Sequence, residues 1–89
     1  MWTDAKNRTA LMIAAFNGHT GCVRIHAQKE AGMKDSDGRT ALMYAAEEGK
    51  KECVNALLDK EKNMKDKNGK TALMFAAEKG KVECVELLA

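Results

Sequence analysis

The chain has 89 residues, the size of one small domain and near the lower limit at which a single core carries stability unaided. Hydrophobic residues make up 45% and aromatic residues 4%, Pro is absent, and Ala, Leu, Met and Lys are abundant, a mixture that favours helix over sheet. The formal charge of +2 is small and evenly spread, which argues against nucleic acid as a partner. No apolar run approaches a membrane span, so the expected compartment is intracellular, cytoplasmic by default.

Cys22, Cys53 and Cys84 stand 31 residues apart, and so do Gly18, Gly49 and Gly80, and Thr9, Thr40 and Thr71. Segments 33–58 and 64–89 match at 17 of 26 positions, so the chain is one unit written three times. A period of this length signals stacked units that cannot bury their apolar faces alone. The expectation is one domain over residues 1–89, with repeats at about 2–32, 33–63 and 64–89, the last incomplete.

In chain order, the first unit carries Asn7, Thr9, Gly18 and Gly32 at marker positions that recur in the second. There a polar stretch, Lys34 to Arg39, leads to Thr40, a natural N-cap, and Ala41 to Glu48 reads as helix until Gly49 stops it. A second helix runs from about Lys51 to Lys60, with Cys53, Val54, Leu57 and Leu58 on one buried stripe. Gly32 and Asn63 occupy equivalent places after the second helix, which predicts a left-handed cap at both. Asn7, Gly38 and Gly69 form another such set, the last two within the tight-turn dipeptides Asp37-Gly38 and Asn68-Gly69. The third unit repeats the pattern, and each unit reads as turn, helix, turn, helix.

Thr40-Ala41-Leu42-Met43-Tyr44-Ala45-Ala46-Glu47-Glu48-Gly49-Lys50, followed by Glu52-Cys53-Val54-Asn55-Ala56-Leu57-Leu58, resembles the ankyrin repeat, and the likeness covers the chain from Trp2 to Ala89. The resemblance implies an all-α solenoid of about three helix-turn-helix units joined by short hairpin-like turns. Ala10, Ala41 and Ala72 replace the family's Pro, and Met12, Met43 and Met74 replace its His. The period is two residues short of the usual one of about 33. Loss of that His exchanges polar ties between repeats for thioether packing.

Signs of catalysis or cofactor binding are weak. Each cysteine lies on its own second helix, and packed helices sit about 8–10 Å apart, too far for a shared metal or a disulfide, so all three are expected as core thiols. His19 matches the family's structural position, and His26 aligns with core Leu57 and Leu88, making it a partly exposed edge residue or a local defect. Asp35-Ser36-Asp37-Gly38 lacks the later ligands of a calcium loop. Met12, Met33, Met43, Met64 and Met74 recur beside core Leu and Ala and are expected in the core. No nucleophile elbow, phosphate loop or dinucleotide fingerprint is present; the expectation is a non-enzyme without cofactor or catalytic residues.

The resemblance implies a scaffold or adaptor that holds another protein on a concave face made by turn tips and first helices. Carried over by alignment, that face comprises Ala5, Lys6, Arg8, Phe16 and Asn17; Ser36, Asp37, Arg39, Glu47 and Glu48; and Lys67, Asn68, Lys70, Glu78 and Lys79. These positions vary between copies while the scaffold repeats. Ile13, Tyr44 and Phe75 are expected half-buried along the groove, as interface anchors or as ordinary packing between repeats. Mixed charge predicts a partner segment of both signs and salt-sensitive association. Two other readings stand beside this one: an arm of a larger signalling protein such as a kinase fusion, and a structural module that associates end to end, against an expected monomer.

Overall fold

Three threonines start the first helix of each repeat. The hydroxyls of Thr9, Thr40 and Thr71 accept from the backbone N–H of Met12, Met43 and Met74, satisfying donors that a helix start leaves open. In the computed structural model, which describes residues 5–89, the helices they open are α1 (Ala10–Asn17), α3 (Ala41–Glu48) and α5 (Ala72–Glu78). The second helices are α2 (Thr20–Glu30), α4 (Lys51–Glu61) and α6 (Val82–Leu88). Residues 2–4, the expected start of the first repeat, lie outside the described part. The fold is the all-helical helix-turn-helix solenoid expected.

Stacking runs in two rows. α3 packs between α1 and α5, and α4 packs between α2 and α6. Small residues make the close row possible: Ala15, Ala45, Ala46 and Ala76 are fully buried where first helices meet. Leu11, Leu42, Val23, Val54 and Leu57 fill the space between the rows. Leu42 and Leu57 are each fully buried, so truncating either leaves a cavity that short helices cannot close.

One buried charge ties the layers together. Glu61 ends α4 and is 1% exposed, with Oε1 accepting from Leu42 N–H at 2.9 Å and Oε2 from Gly32 N–H at 2.7 Å. A carboxylate at the start of α3 also meets the positive end of that helix. Burial pushes the Glu61 carboxyl above its ordinary range, while the bonds from Gly32, Leu42 and the Thr40 hydroxyl pull it back. Glu30 makes the matching contact in the first repeat, accepting from Leu11 N–H at 2.9 Å from a half-buried position.

The two second-helix ends differ from the symmetrical caps expected. Gly32 has φ +90°, but Asn63 is not in the left-handed region. Both ends close with the same i to i+3 bond, Met33 N–H to Glu30 O and Met64 N–H to Glu61 O, each 3.2 Å. After α2, Ala31 (φ −61°, ψ 139°) and Gly32 give a type II turn, whose flipped central peptide aims Gly32 N–H at Glu61. After α4, Lys62 stays helical, a type I start that needs no positive φ from Asn63.

Two expectations about the core are corrected. Cys53 and Cys84 are buried but Cys22 is exposed: Cys53 faces back toward α2, with its thiol 3.6 Å from the Thr20 hydroxyl, so the equivalent face of α2 points away from α4. Met12 and Met43 are buried, whereas Met33 and Met74 are exposed and Met64 is half-buried. The buried thioether also does more than pack, since Met43 Sδ accepts from Thr40 N–H at 3.4 Å and closes a capping box with the Thr40 hydroxyl. His26 is half-buried, the edge residue of the two alternatives expected.

The turns before the first helices are built on buried Asp35 and Asp66. Asp35 Oδ1 accepts from Asp37 and Arg39 N–H at 2.9 Å, and Asp66 Oδ1 accepts from Asn68 and Lys70 N–H at 2.8 Å. Successive turns lock by backbone bonds, Ser36 N–H to Lys6 O (2.8 Å) and Lys67 N–H to Asp37 O (3.1 Å). The second lock brings the Lys67 backbone so close that a Cβ on Gly38 would lie 2.6 Å from its nitrogen, whereas Gly69 faces open space at the same φ of +80°.

Two stability measurements check these contacts. Glu61→Gln places an amide NH₂ against a backbone N–H and is expected to cost about 1–3 kcal/mol in urea unfolding, with Glu30→Gln costing less because its site is half-buried; equal losses would show that burial of the brace is unimportant. Gly38→Ala and Gly69→Ala share the positive-φ penalty, but only the first meets the Lys67 backbone, so it is expected to lose at least about 1 kcal/mol more.

Candidate interaction face

The turns and first helices share one side of the array, and their side chains meet there in a continuous row. Phe16, exposed at the end of α1, meets Tyr44 of α3 in a T-shaped pair with centroids 6.2 Å apart and planes at 78°. The Arg39 guanidinium lies 5.9 Å from the Tyr44 ring centre and 5.0 Å from that of Phe75, bridging the second and third repeats. Lys70 Nζ lies 5.7 Å from the other end of the row, at Phe75.

Local sequence explains why each side chain points there. Arg39 and Lys70 immediately precede the capping threonines, held by their backbone N–H groups on Asp35 and Asp66. Tyr44 and Phe75 sit one residue after Met43 and Met74, on the helix flank turned toward those cations. Within repeats, the helix-end carboxylates answer the turn cations: Arg39 to Glu47 at 3.9 Å, and Lys70 to Glu78 at 2.8 Å. The second pair is exposed and contributes little to stability.

Of Ile13, Tyr44 and Phe75, all expected half-buried, Ile13 alone is so. Tyr44 is 7% and Phe75 3% exposed, because Arg39 covers both rings and the Tyr44 hydroxyl donates to Asp35 Oδ2. Burial is the chief cause, and the Asp35 bond the second, of a Tyr44 phenol shifted upward to well beyond its usual range, so it stays a protonated donor at physiological pH. These rings are the floor of the face, and the groups open to solvent are those around them.

Lys6, Asn17, Ser36, Asp37, Glu48, Lys67, Asn68, Glu78 and Lys79 are exposed, and Arg8, Arg39 and Glu47 are half-buried. Some are already engaged: Ser36 Oγ donates to Lys6 O at 2.9 Å, and Asn17 Nδ2 donates to Ile13 O at 3.0 Å. The contact of Arg39 with both rings is not among the expectations from sequence. The signal for it was present, since a cation precedes the threonine and an aromatic follows four or five residues later in both the second and third units. The Glu30 and Glu61 braces are a second feature beyond the sequence expectations, and their signal is a Glu that closes the second helix at the same register in two repeats.

Away from this face, an open groove between α4 and α6 is lined by Lys51, Glu52, Asn55, Glu83, Glu86 and Leu87 and crossed by a 3.1 Å Lys51–Glu83 pair. Among the described residues no group of His, Cys, Asp and Glu is arranged to hold a metal ion, and no helix is long and apolar enough to cross a membrane. Burial raises the Cys84 thiol above its ordinary range.

Comparison with known proteins agrees with this architecture. Residues 2–64 match the family described as ankyrin repeats in three copies, and residues 42–89 match one described as ankyrin repeats in many copies. No curated protein matches the chain significantly. Stacked helix pairs, capping threonines at a fixed period and two overlapping family matches lead to one conclusion: the chain belongs to the ankyrin-repeat family.

Proposed function

We propose that the array holds another protein on the concave face formed by its turn tips and first helices, as a scaffold or adaptor without catalytic activity. Ankyrin repeats are in general protein-interaction modules and typically non-enzymatic, which supports the class of function. The observation that carries the location is the unbroken row Phe16, Tyr44, Arg39, Phe75, Lys70, which crosses all three repeats on one side. Rings already buried beneath Arg39 lose little entropy when covered, and Phe16 is exposed and available as an anchor.

Around that floor stand Lys6, Arg8 and Asn17 of the first repeat, Ser36, Asp37, Glu47 and Glu48 of the second, and Lys67, Asn68, Glu78 and Lys79 of the third. Positive turn tips beside negative helix ends suit a segment carrying both signs, with charges that steer approach and set register more than they add affinity. The chain acts here as a monomer presenting one face, in an intracellular setting.

Immobilised chain, incubated with cell extract, tests the location. A variant combining Phe16→Ala, Lys67→Glu and Lys79→Glu is expected to lose captured protein by at least about tenfold, with raised salt weakening capture by the parent chain. Asn55→Lys with Glu86→Lys, on the second helices, is expected to leave capture unchanged, circular dichroism confirming that all variants stay folded. The opposite pattern would move the binding face to the second helices.

A further inference from the structure

The chain contains two Asn-Gly pairs, and the fold holds them differently. Asn17 is the last residue of α1; its side-chain amide donates to Ile13 O at 3.0 Å, and Gly18 N–H caps the helix on Ala14 O and Ala15 O. Asn68 is exposed at the tip of the third turn, and among the described residues its side-chain amide has no hydrogen-bond partner. Its neighbour Gly69 has φ +80° and no atom within 4 Å of where a Cβ would stand, whereas the Lys67 backbone backs Gly38 in the previous turn. The Gly69 N–H is held by one bond, to Asp66 O at 3.0 Å.

We propose that Asn68 is a site of spontaneous deamidation, with Gly69 supplying the attacking nitrogen and Asn17 protected by its helix. Gly69 N loses its proton and forms a bond to Asn68 Cγ, the Cγ–Nδ2 bond breaks, and ammonia leaves with the proton, giving a cyclic imide. Water then opens the ring at either carbonyl, so the net change is amide plus water to carboxylic acid plus ammonia, yielding Asp or isoaspartate. Glycine lets the nitrogen approach because no Cβ shields it. The step needs release of the Gly69 N–H from Asp66 O and rotation of the exposed Asn68 side chain onto that nitrogen, a local opening at a solvent-exposed turn.

The Asp product is one the fold already contains, since Asp37 occupies the same place before Gly38. The isoaspartyl product adds a methylene to the main chain and breaks the match to the two N–H bonds that Asp66 Oδ1 accepts. Both products add a negative charge at the turn tip and lower the net charge by one. This chemistry is independent of what the face binds.

The full chain, aged in mildly alkaline buffer at physiological temperature, tests the proposal by peptide mapping with mass detection. Conversion at Asn68 is expected at least about tenfold faster than at Asn17, and the difference is expected to vanish in denaturing urea. Asn68→Gln is expected to abolish the acidic species that ion-exchange chromatography resolves from the parent. Equal rates at the two sites in the folded chain, faster conversion at Asn17, or an acidic species that survives Asn68→Gln would each overturn it.

Discussion

Glu61 is bound where three backbone segments meet, and the alignment of neighbouring repeats depends on it. Its carboxylate caps the start of α3, its own backbone ends α4, and its second oxygen takes the N–H that the type II turn after α2 turns outward. A hydrophobic side chain there would fill the space but leave the buried Leu42 N–H without its acceptor and release the Gly32 N–H to solvent. A helix of eight residues, such as α3, does not form alone in water. It forms here because its N-terminus is satisfied from two sides, by Thr40 and Glu61, and its faces are covered by α1 and α5.

The other edge of the array is organised by aspartate rather than glutamate. Asp35 arranges its turn with one oxygen and receives the Tyr44 hydroxyl with the other, so the turn and the helix after it move as one piece. That coupling places Arg39 between two rings from successive repeats. Replacing Tyr44 by Phe75 in the third repeat keeps the ring and drops the hydroxyl, and among the described residues the Asp66 carboxylate has its turn bonds alone. The floor is therefore continuous while the supports beneath it differ from copy to copy.

Periodicity made the scaffold readable. Thr9, Thr40 and Thr71 announce three helix starts, and the apolar stripe of Cys53, Val54 and Leu57 is buried as its spacing requires. What periodicity hides is position along the stack. Equivalent residues have equal local structure but unequal neighbours, so Cys22 is exposed where Cys53 is covered, and Met74 where Met43 is. Asn63 departs for a subtler reason: two turn types close the same hydrogen bond, and the choice between them depends on a donor aimed at another repeat. On the candidate face, residue type identified the cations and rings, but their depth followed from Arg39 lying over both aromatics, a contact across a repeat boundary.

This division has a consequence for how such a chain diversifies. Side chains at the stacking surfaces must satisfy a neighbour with the same register, so Ala45 and Ala76 or Leu11 and Leu42 keep identity across units. Turn tips rest on the backbone pattern that Asp35 and Asp66 supply from beneath, so Asp37 and Asn68 can differ without disturbing the bonds that hold them, while Ser36 adds a hydroxyl bond to Lys6 O that Lys67 does not repeat. The limit on that freedom is Gly38, where the next turn approaches too closely for any side chain. Chemistry at the turn tips is thus variable in charge and fixed in spacing.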